Sequence, residues 1–523
     1  MTTEMMTHEN LQESPTDAAL AIRALRRYPD RVAFRWDGGE LTYRETEQLI
    51  AGLQVELQAM GVGPDHNVAI LSSNRAEAWC TVIAAQALGA AISNLHPLGA
   101  ADMHVAQVRE LAPAVVVSDA ESHAETARLI AEVCPERHHM FLGGGGDTDI
   151  VARAKAHTGA TVTLVERTDL PGTLNFTGGT TGRPKSVVRL QGGIGQMTLA
   201  ILADYDLPKA PRYLAVAPIS HVGGVKIVAT LTRGGMIYMV RGFDPVRVLE
   251  LIEREKISYT VLVPTMIYAL LDHPDIDKRD TSSLELLLYG ASPMSPARLK
   301  QGIARFGPVF AQFYGQTECY PITFLPPEDH DPERPELLLS CGRPATGAVV
   351  KLLDDDCNEV PMGEAGEICV RSPTAMTEYR DRHDESAKAQ AGGWLHTGDV
   401  ARADEEGRLY IVDRKKDMIV SGGFNIYPKE VEDVIYNDPA VSLAAVIGVP
   451  HEKWGEAVMA YVVGRPGEVV DIDRIQVSIK EHKGAIYCPK VIEVVQAMPQ
   501  TPLGKVDKVA LRAPHWEGQA RQV

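Results

Sequence analysis

The chain has 523 residues, more than a single hydrophobic core usually organises, so its length predicts two or more domains. A net charge of −17 argues against a general nucleic-acid binder or anionic-membrane binder, because phosphate-binding surfaces need an excess of Lys and Arg. The start of the chain has no basic or apolar region of a signal peptide, and seven cysteines without a C-x-x-C motif indicate reduced thiols. We therefore expect a cytoplasmic protein without a zinc site, a disulfide framework or a stable membrane insertion.

Helical and strand-like segments alternate through the first part of the chain. Residues 78–92 are apolar but are interrupted by Gln86 and Gly89 and are too short to span a bilayer, so they predict a buried helix. GGGG at 143–146 predicts a surface turn. Further strand-like or helical runs lie at 114–119, 245–256, 258–264 and 283–290. Alternating β and α units of this kind predict parallel sheets covered by helices, an α/β fold.

The pattern changes towards the C-terminus. Acidic and Gly-containing turns within 349–373 and 407–417 predict hairpins. A helix with Pro428 in its first turn is predicted over 427–437, and two strands are predicted at 442–450 and 457–464. We place the domain boundary at Asp413, which gives an N-terminal domain of residues 1–412 and a smaller α+β domain of residues 413–523.

The segment FTGGTTGRPKS (176–186) concentrates glycines, threonines and cations. Backbone N–H groups and hydroxyls of such a turn converge on an anion, and Lys185 adds a positive charge. TLNF (173–176) reads as the strand that leads into it. The segment is not a Walker A loop, because Pro184 separates Arg183 from Lys185. From the Gly/Thr cluster alone, a flexible surface loop is an equally good interpretation.

The order of residues in this segment is more specific than its composition. TGGTTGRPK (177–185) resembles the phosphate loop T-[ST]-G-T-T-G-x-P-K-G of the acyl-adenylate-forming superfamily, which contains acyl-CoA synthetases, nonribosomal adenylation domains and beetle luciferases. Further motifs of that superfamily follow in the expected order: YGQTE (314–318), LHTGD (395–399), DRKKDMIVSGGFNIYPKEVE (413–432) and PQTPLGKVDK (499–508). The resemblance extends from LTYRE (41–45) to about Lys508, nearly the whole chain.

The chain departs from the superfamily pattern at two positions of the loop. Gly178 stands where the superfamily usually has Ser or Thr, and Ser186 stands where Gly is usual. Both changes are small, and both bear on how tightly the loop closes rather than on the reaction.

The resemblance implies a fold and an activity. The fold would be a large N-terminal domain of helix-covered β-sheets with a distorted β-barrel subdomain, followed by a small mobile α+β domain. The activity would be carboxylate activation: a carboxylic acid attacks the α-phosphate of ATP to give acyl-AMP and pyrophosphate, and the thiol of coenzyme A then takes the acyl group. Because an anion must attack an anion, cations and oriented dipoles are needed around the transferring group.

The resemblance also implies roles for residues that bind ATP. Thr317 would bind the α-phosphate, and Glu318 would ligate Mg²⁺, a cation that prefers carboxylate oxygen. Asp399 would accept hydrogen bonds from the ribose hydroxyls, and Arg414 would reach the ribose or a phosphate, unless it only forms a surface ion pair with Asp413 or Asp417. The phosphate loop would contribute Thr177, Gly178, Gly179, Thr180, Thr181, Gly182 and Lys185, and the adenine would lie against Gly290, Ala291, Ser292, Tyr314 and Gly315.

Lys505 is the residue on which adenylation is predicted to depend most, and Thr317, Glu318 and His221 complete the predicted catalytic set. Lys505 would bridge the carboxylate and α-phosphate oxygens and stabilise the developing charge. The superfamily uses the position of Asp413 as a hinge about which the small domain rotates after adenylation. That rotation would bring Ser421, Gly422 and Gly423 to the site, where the glycines leave room for a pantetheine tunnel.

The acyl pocket is predicted around PISHVGGVKIV (218–228), where His221 matches the residue that gates the pocket in the superfamily. Glycines after it would widen the pocket by removing side-chain volume. No Asp occurs between Pro218 and Leu231, which argues against an amino-acid substrate, because a buried ammonium without a partner is costly. We expect a hydrophobic or bulky acid, whether fatty, aromatic or polycyclic. The predicted pocket residues are His221, Val222, Gly223, Gly224, Val263, Pro264 and Cys319.

Three interpretations of function stay open at this point. The first is an ATP-dependent acyl-CoA ligase. The second replaces CoA by a carrier-protein phosphopantetheine, although no obvious insertion of the kind found in fatty-acyl-AMP ligases follows YGQTE. The third is a non-catalytic nucleotide-binding relative, which the presence of Lys505 and Glu318 disfavours. The sequence also leaves open a homodimer.

Overall fold

In the computed structural model, the described residues are 15–177, 184–421, 424–501 and 505–517. The α-helices of this part of the chain are α1 (Asp17–Arg27), α2 (Tyr43–Ala59), α3 (Ala76–Ala87), α4 (Ala101–Leu111), α5 (Ala124–Val133), α6 (Ile150–Ala156), α7 (Gln191–Asp204), α8 (Ile227–Thr232), α9 (Pro245–Glu255), α10 (Pro264–Leu271), α11 (Pro296–Phe306), α12 (His383–Ala389), α13 (Pro428–Ile435), α14 (Ile472–Lys483) and α15 (Lys508–Arg512).

The strands of the described residues form four sheets. They are β1 (Val32–Trp36), β2 (Gly39–Thr42), β3 (Asn67–Leu71), β4 (Ala91–Leu95), β5 (Val115–Asp119), β6 (His138–Leu142), β7 (Pro171–Phe176), β8 (Ser186–Leu190), β9 (Arg212–Ala215), β10 (Met236–Met239), β11 (Tyr259–Leu262), β12 (Leu286–Gly290), β13 (Phe310–Tyr314), β14 (Thr323–Leu325), β15 (Arg343–Pro344), β16 (Val349–Leu353), β17 (Gly366–Arg371), β18 (Glu378–Tyr379), β19 (Leu395–Ala403), β20 (Leu409–Arg414), β21 (Ile419–Ser421), β22 (Phe424–Ile426), β23 (Val441–His451), β24 (Gly455–Gly464) and β25 (Val491–Val494).

Two large sheets build the N-terminal part. One has the order β15-β14-β13-β12-β11-β9-β10-β1-β2, and its strands from β13 to β1 are parallel. The other has the order β18-β8-β7-β4-β3-β5-β6 and is parallel from β7 to β6. Parallel strands end at the same edge of a sheet, where loops form ligand sites, so the loops after β9, β11, β12 and β13 lie together.

Local sequence signals fix several helix ends. Thr42 and Glu45 form a reciprocal capping box at the start of α2, which satisfies N–H groups that the helix leaves free. Pro245 occupies the first turn of α9, where its missing N–H costs nothing, and the Asp244 side chain caps the same helix. Lys256, the residue that follows α9, ends the helix in a left-handed conformation.

Two smaller sheets complete the fold. The antiparallel sheet β16-β17-β19-β20 contains the predicted hairpin, since β16 and β17 pair directly. The C-terminal sheet has the order β22-β21-β24-β23 with β25 beside β24, and it is covered by α13, α14 and α15. This last unit has a hydrophobic core of its own, which includes Ile435, Val446 and Ile479. An independent core is what a separate α+β domain requires.

The structure agrees with most of the predicted elements, but the hairpin expected within 407–417 is the single strand β20, which pairs with β19. The buried helix predicted within 78–92 is α3, and the same segment continues into β4 after a turn at Gly89. The four glycines at 143–146 all have positive φ and form a turn held by the Asp149 carboxylate. No helix among the described residues has the length and apolar character needed to cross a membrane. The boundary at Asp413, at the end of β20, stays a prediction.

Candidate active site

A cavity of 850 Å³ extends from the loops after the parallel strands into the N-terminal part of the chain. Gly315, Thr317 and Ala291 line it where β12 and β13 end, and Lys505 lines it from the C-terminal part. Its lining also contains many apolar side chains. A large cavity with a few polar groups at one end is the usual form of a small-molecule site.

The base of the phosphate loop is closed by pairing between the strands on either side. β7 and β8 are antiparallel, with Phe176 opposite Ser186. The Thr177 N–H donates to the Lys185 carbonyl oxygen at 2.9 Å, and the Lys185 N–H donates to Thr177 Oγ1 at 3.3 Å. The predicted residues Gly178, Gly179, Thr180, Thr181 and Gly182 lie outside the described residues. The side chain of Ser186 is buried, and its Oγ has no hydrogen-bond partner among the described residues.

Lys185 and Glu318, which were predicted from separate motifs, both contact the Tyr379 side chain. Lys185 Nζ is 4.6 Å from the centre of the Tyr379 ring and 2.6 Å from Glu385 Oε2. Tyr379 Oη donates to Glu318 Oε1 at 2.8 Å, which leaves Oε2 without a hydrogen-bond partner among the described residues. A half-buried carboxylate with a free oxygen, next to the base of a phosphate loop, fits a Mg²⁺ ligand.

Asp399 is the centre of a hydrogen-bond network. Its Oδ2 accepts from Tyr314 Oη at 2.6 Å and from Gln316 Nε2 at 2.8 Å. Its Oδ1 accepts from Arg414 Nε at 3.0 Å, because β19 and β20 place these two residues opposite each other. Asp399 is buried, and the Tyr314 pKa is raised by burial and by this carboxylate. The arrangement fixes the carboxylate in one orientation, as recognition of ribose hydroxyls requires.

The predicted adenine-binding wall is formed where the backbones of neighbouring strands pack closely against each other. A Cβ on Gly290 would lie 2.4 Å from the Phe313 carbonyl oxygen, so only glycine fits between β12 and β13 at this point. Ala291 follows with φ of 68°, a left-handed conformation that non-glycine residues rarely adopt and that is found at binding sites. Ser292 comes next, and its side chain is partly exposed.

Lys505 enters the cavity from the C-terminal part. Its turn is held by Thr501, whose N–H donates to the Lys505 carbonyl oxygen at 2.8 Å. Burial and, to a smaller extent, the nearby Arg414 lower the pKa of the Lys505 ammonium to about 8, while Asp399 opposes the shift. A positive charge held out of water interacts strongly with an anion, which is what a group that neutralises phosphate and carboxylate needs.

Asp413, the predicted hinge, lies near the end of β20. Its Oδ1 accepts from the Arg414 N–H at 2.7 Å and its Oδ2 from the Lys429 N–H at 2.9 Å, so the carboxylate joins β20 to the start of α13. Burial raises the Asp413 pKa to about 6, although Lys508 opposes this effect. Ser421 ends β21 and is buried, and the predicted tunnel residues Gly422 and Gly423 lie outside the described residues.

His221 and a second histidine, His96, form one wall of the acyl end. Their rings are 4.6 Å apart in an edge-to-face arrangement, and both line the cavity. Burial lowers the His221 pKa to about 3 and the His96 pKa to about 4, so both are neutral at pH 7. Because His96 Nδ1 accepts from the Leu98 N–H at 3.1 Å, Nε2 carries the proton and is a donor without a partner among the described residues.

The sequence did not point to His96, because no motif contains it. It follows β4, and only the packing of the two large sheets brings it next to His221. Gln316 was also missed, although it lies within YGQTE and donates to Asp399 and to the Thr397 carbonyl oxygen. Its position in the motif is the signal that could have identified it.

The structure corrects part of the predicted acyl pocket. His221, Val222, Gly224 and Val263 line the cavity, whereas Gly223, Pro264 and Cys319 do not. Pro264 is buried in the first turn of α10. Cys319 is fully buried with its Sγ 3.5 Å from Thr374 Oγ1, and its neighbour Tyr320 forms the wall instead.

The prediction that the glycines after His221 widen the pocket was wrong. A Cβ on Gly223 would lie 2.2 Å from the Ala217 carbonyl oxygen, and a Cβ on Gly224 would lie 1.9 Å from the Ile219 carbonyl oxygen. These glycines therefore allow two backbone segments to pack closely. The volume of the cavity comes from elsewhere in its lining.

Comparison with known proteins agrees with this geometry. The family model of AMP-binding enzymes matches residues 22–380, and that of the AMP-binding enzyme C-terminal domain matches residues 430–505. The chain belongs to the AMP-binding enzyme family. The two matched segments lie on either side of the predicted boundary at Asp413.

Similar proteins of the AMP-binding family cover nearly the whole chain. The medium/long-chain-fatty-acid–CoA ligase FadD8 of Mycobacterium tuberculosis is 41% identical over 98% of this chain and 92% of its own length. The feruloyl-CoA synthase of an Amycolatopsis species is 34% identical over 94% of this chain and 97% of its own. The solved structure of the amide bond synthetase McbA of Marinactinospora thermotolerans has a TM-score of 0.87 at 31% identity, covering 95% of this chain and 99% of that one. The predicted family, fold class and AMP-forming acid–thiol ligase activity are confirmed.

Proposed function

We propose that this AMP-binding enzyme is an ATP-dependent acyl-CoA ligase for a hydrophobic, bulky carboxylic acid. Lys505, Thr317 and His221 all line one large cavity, and the proposal rests on this observation. A mobile cation, a phosphate-binding hydroxyl and an acyl wall are the parts that carboxylate activation requires.

In the first half-reaction, a carboxylate oxygen of the acid attacks the α-phosphorus of ATP and pyrophosphate leaves. Lys505 would contact both the attacking carboxylate and the α-phosphate and reduce the repulsion between them. Thr317 would donate to an α-phosphate oxygen, and Asp399 would hold the ribose. Lys185 would exchange its ion pair with Glu385 for the terminal phosphates, since both groups of that pair are partly exposed and the exchange costs little.

Glu318 is the residue that would hold Mg²⁺, through the carboxylate oxygen that Tyr379 leaves free. The ion, when bound, supplies positive charge to the phosphates of ATP. The protein's own contribution is to fix the Glu318 carboxylate through the Tyr379 hydroxyl.

In the second half-reaction, the sulfur of CoA attacks the acyl carbon of acyl-AMP, the bond to the phosphate oxygen breaks, and AMP leaves with the electron pair. For this step the small domain would turn about Asp413, remove Lys505 and bring Ser421, Gly422 and Gly423 to the site. Asp413 supports such a role because its carboxylate bonds to backbone on both sides of the junction.

The nature of the acid is supported by the cavity lining. Trp79, Ile83, Ile194 and Met197 supply apolar surface, and no Asp lies between Pro218 and Leu231 to pair with an ammonium. The relatives named for long-chain fatty acids and for feruloyl groups support the same class of acid. A fatty, aryl or polycyclic acid is therefore our first choice.

The acceptor is CoA in this proposal, and two other acceptors define the alternatives. One is the phosphopantetheine of a carrier protein. The other is an amine, which is suggested by the similarity to an amide bond synthetase.

We further propose a cytoplasmic enzyme, since none of the seven cysteines is paired in a disulfide. The homodimer stays a prediction.

A panel of fatty, aryl, steroid and terpenoid acids, each incubated with ATP, Mg²⁺ and CoA, tests the proposal by mass spectrometry of acyl-AMP and acyl-CoA. We expect acyl-CoA from at least one bulky acid. Acyl-AMP without acyl-CoA would show that the acceptor is not CoA, and parallel reactions with a carrier protein or an amine would then identify it. Absence of both products with every acid, despite ATP binding, would contradict the proposed activity.

A further inference from the structure

Arg189 is a cation on the cavity lining that forms no ion pair within the part of the chain that the structure describes. β8 alternates its side chains between two faces, and Val187 and Arg189 both line the cavity. Arg189 Nη2 contacts Met197 Sδ at 3.5 Å, and its Nε has no hydrogen-bond partner among the described residues. A guanidinium has five N–H donors, and donors left without an acceptor in an enclosed site are costly.

Asp17 is the acidic residue near Arg189, but it does not form an ion pair with it. Its Oδ1 accepts from Thr198 Oγ1 at 2.6 Å, and burial raises its pKa to about 6. The charge of each residue acts on the other without direct contact, and burial is the main reason that the Arg189 pKa is lowered. Both side chains line the cavity, so a group of the ligand can lie between them.

Two further polar side chains belong to the same region. Thr173 lies opposite Arg189 across the β7–β8 pair and lines the cavity. Gln86 also lines it, donates to the Gly172 carbonyl oxygen next to Thr173, and keeps Oε1 without a partner among the described residues. We call Asp17, Gln86, Thr173 and Arg189 the polar corner. Apolar side chains such as Trp79, Ile83 and Ile194 form other parts of the same lining.

The polar corner and Lys505 serve different parts of the cavity. The charges that act on Lys505 are those of Arg414, Asp399 and Lys416. The charged neighbour of Arg189 is Asp17, Cys319 and Tyr320 lie close to it as neutral groups, and its contact Met197 belongs to α7. Because these two sets of neighbours share no residue, we assign Arg189 to a part of the acid away from the reacting carboxylate that Lys505 would hold.

We propose that the acid taken by this enzyme carries a neutral oxygen group, a ketone or a hydroxyl, remote from its reacting carboxylate, and that Arg189 binds this oxygen. The inference rests on the proposed function, because it assigns the far end of the acyl substrate. A ketone oxygen accepts from the guanidinium, and a hydroxyl can in addition donate to Asp17. A second carboxylate fits less well, since the Asp17 charge would repel it.

A position scan tests this assignment. Analogues of the best acid of the panel, each with a single ketone or hydroxyl at a different carbon, are compared with the analogue that has no such group, the parent acid, by kcat/KM for CoA thioester formation. In the wild-type enzyme we expect an oxygen at one position to raise kcat/KM by roughly tenfold to hundredfold over the parent, the usual effect of a hydrogen bond to a charged group. Arg189→Met should reduce that ratio to about one, and Arg189→Lys should retain part of it.

Arg128→Met is the matched control, because Arg128 is an exposed arginine of α5, paired with Glu132. It should keep the wild-type ratio. Equal use of oxygenated and parent acids by the wild type, or an unchanged preference in Arg189→Met, would overturn the inference. A dicarboxylic acid as the best substrate would overturn the choice of a neutral oxygen. These results differ from failure of the proposed function, in which the parent acid would also give neither acyl-AMP nor thioester.

Discussion

The pKa of Lys505 leads to a prediction about pH. An amine whose pKa is lowered from 10.5 to about 8 is charged below pH 8 and loses its charge as the pH rises through that value. The protonated share is about nine-tenths at pH 7 and about one-tenth at pH 9, because the ratio of the two forms changes tenfold per pH unit. If the charge is required, kcat/KM for adenylation should fall about tenfold between these values.

Substitution of Lys505 separates its role from other causes of that fall. Lys505→Ala should reduce adenylation by about 10²–10³-fold, the range found when one preorganised donor is removed. Lys505→Arg keeps a charge at pH 9, so the alkaline fall should disappear even if the rate is lower. Ready-made acyl-AMP should still react with CoA in both variants.

The assay is single-turnover release of pyrophosphate from pH 6 to 10, run beside thioester formation from synthetic acyl-AMP. The reasoning would be refuted if Lys505→Ala slowed both half-reactions equally. A wild-type adenylation rate that stayed constant through pH 9 would also refute it.

Three further predictions follow from other contacts. Asp399→Asn should raise the KM for ATP about tenfold or more, since a neutral amide accepts less strongly from ribose hydroxyls and from the cation beside it. Tyr379→Phe removes the hydrogen bond that orients Glu318 and should raise the Mg²⁺ concentration needed for half-maximal rate several-fold. Gly223→Ala should destabilise the protein by about 1–3 kcal/mol, measured by denaturant unfolding, because its Cβ would lie 2.2 Å from a backbone oxygen. Gly242→Ala, where the Cβ meets nothing within 4 Å, is its control and should be nearly neutral.

Each of these has its own contradicting result. An unchanged KM for ATP in Asp399→Asn would show that the Asp399 carboxylate does not bind the ribose. An unchanged Mg²⁺ dependence in Tyr379→Phe, with the same maximal rate, would show that Tyr379 does not orient Glu318 for Mg²⁺ binding. A stable Gly223→Ala enzyme with altered acid preference would restore the wide-pocket interpretation that the structure replaces.

Much of the fold could be predicted because local signals agree with it. The alternating segments gave the parallel sheets, Pro428 marks the start of α13, and the glycines at 143–146 form the expected turn. Asp399 and Arg414 could each be singled out from their own motifs, but their contact with each other follows from the β19–β20 register, which the sequence did not specify.

The acyl end was less predictable because it is built from contacts between distant segments. His96 follows β4 and Asp17 begins α1, and neither belongs to a motif. The role of Gly223 depends on the carbonyl oxygen it approaches, which the sequence does not specify. A glycine next to a pocket residue therefore predicts either space for a ligand or close backbone packing, and only the fold distinguishes them.

The most direct test of the account is a pulse–chase experiment with the best acid of the panel. The enzyme is first incubated with isotopically labelled acid, ATP and Mg²⁺. CoA is then added together with excess unlabelled acid, and acyl-AMP and acyl-CoA are measured by mass spectrometry. We predict that labelled acyl-AMP accumulates on the enzyme and is converted to labelled acyl-CoA with release of AMP. Failure to form acyl-AMP, or acyl-AMP that CoA does not consume, would contradict the two-step ligase mechanism.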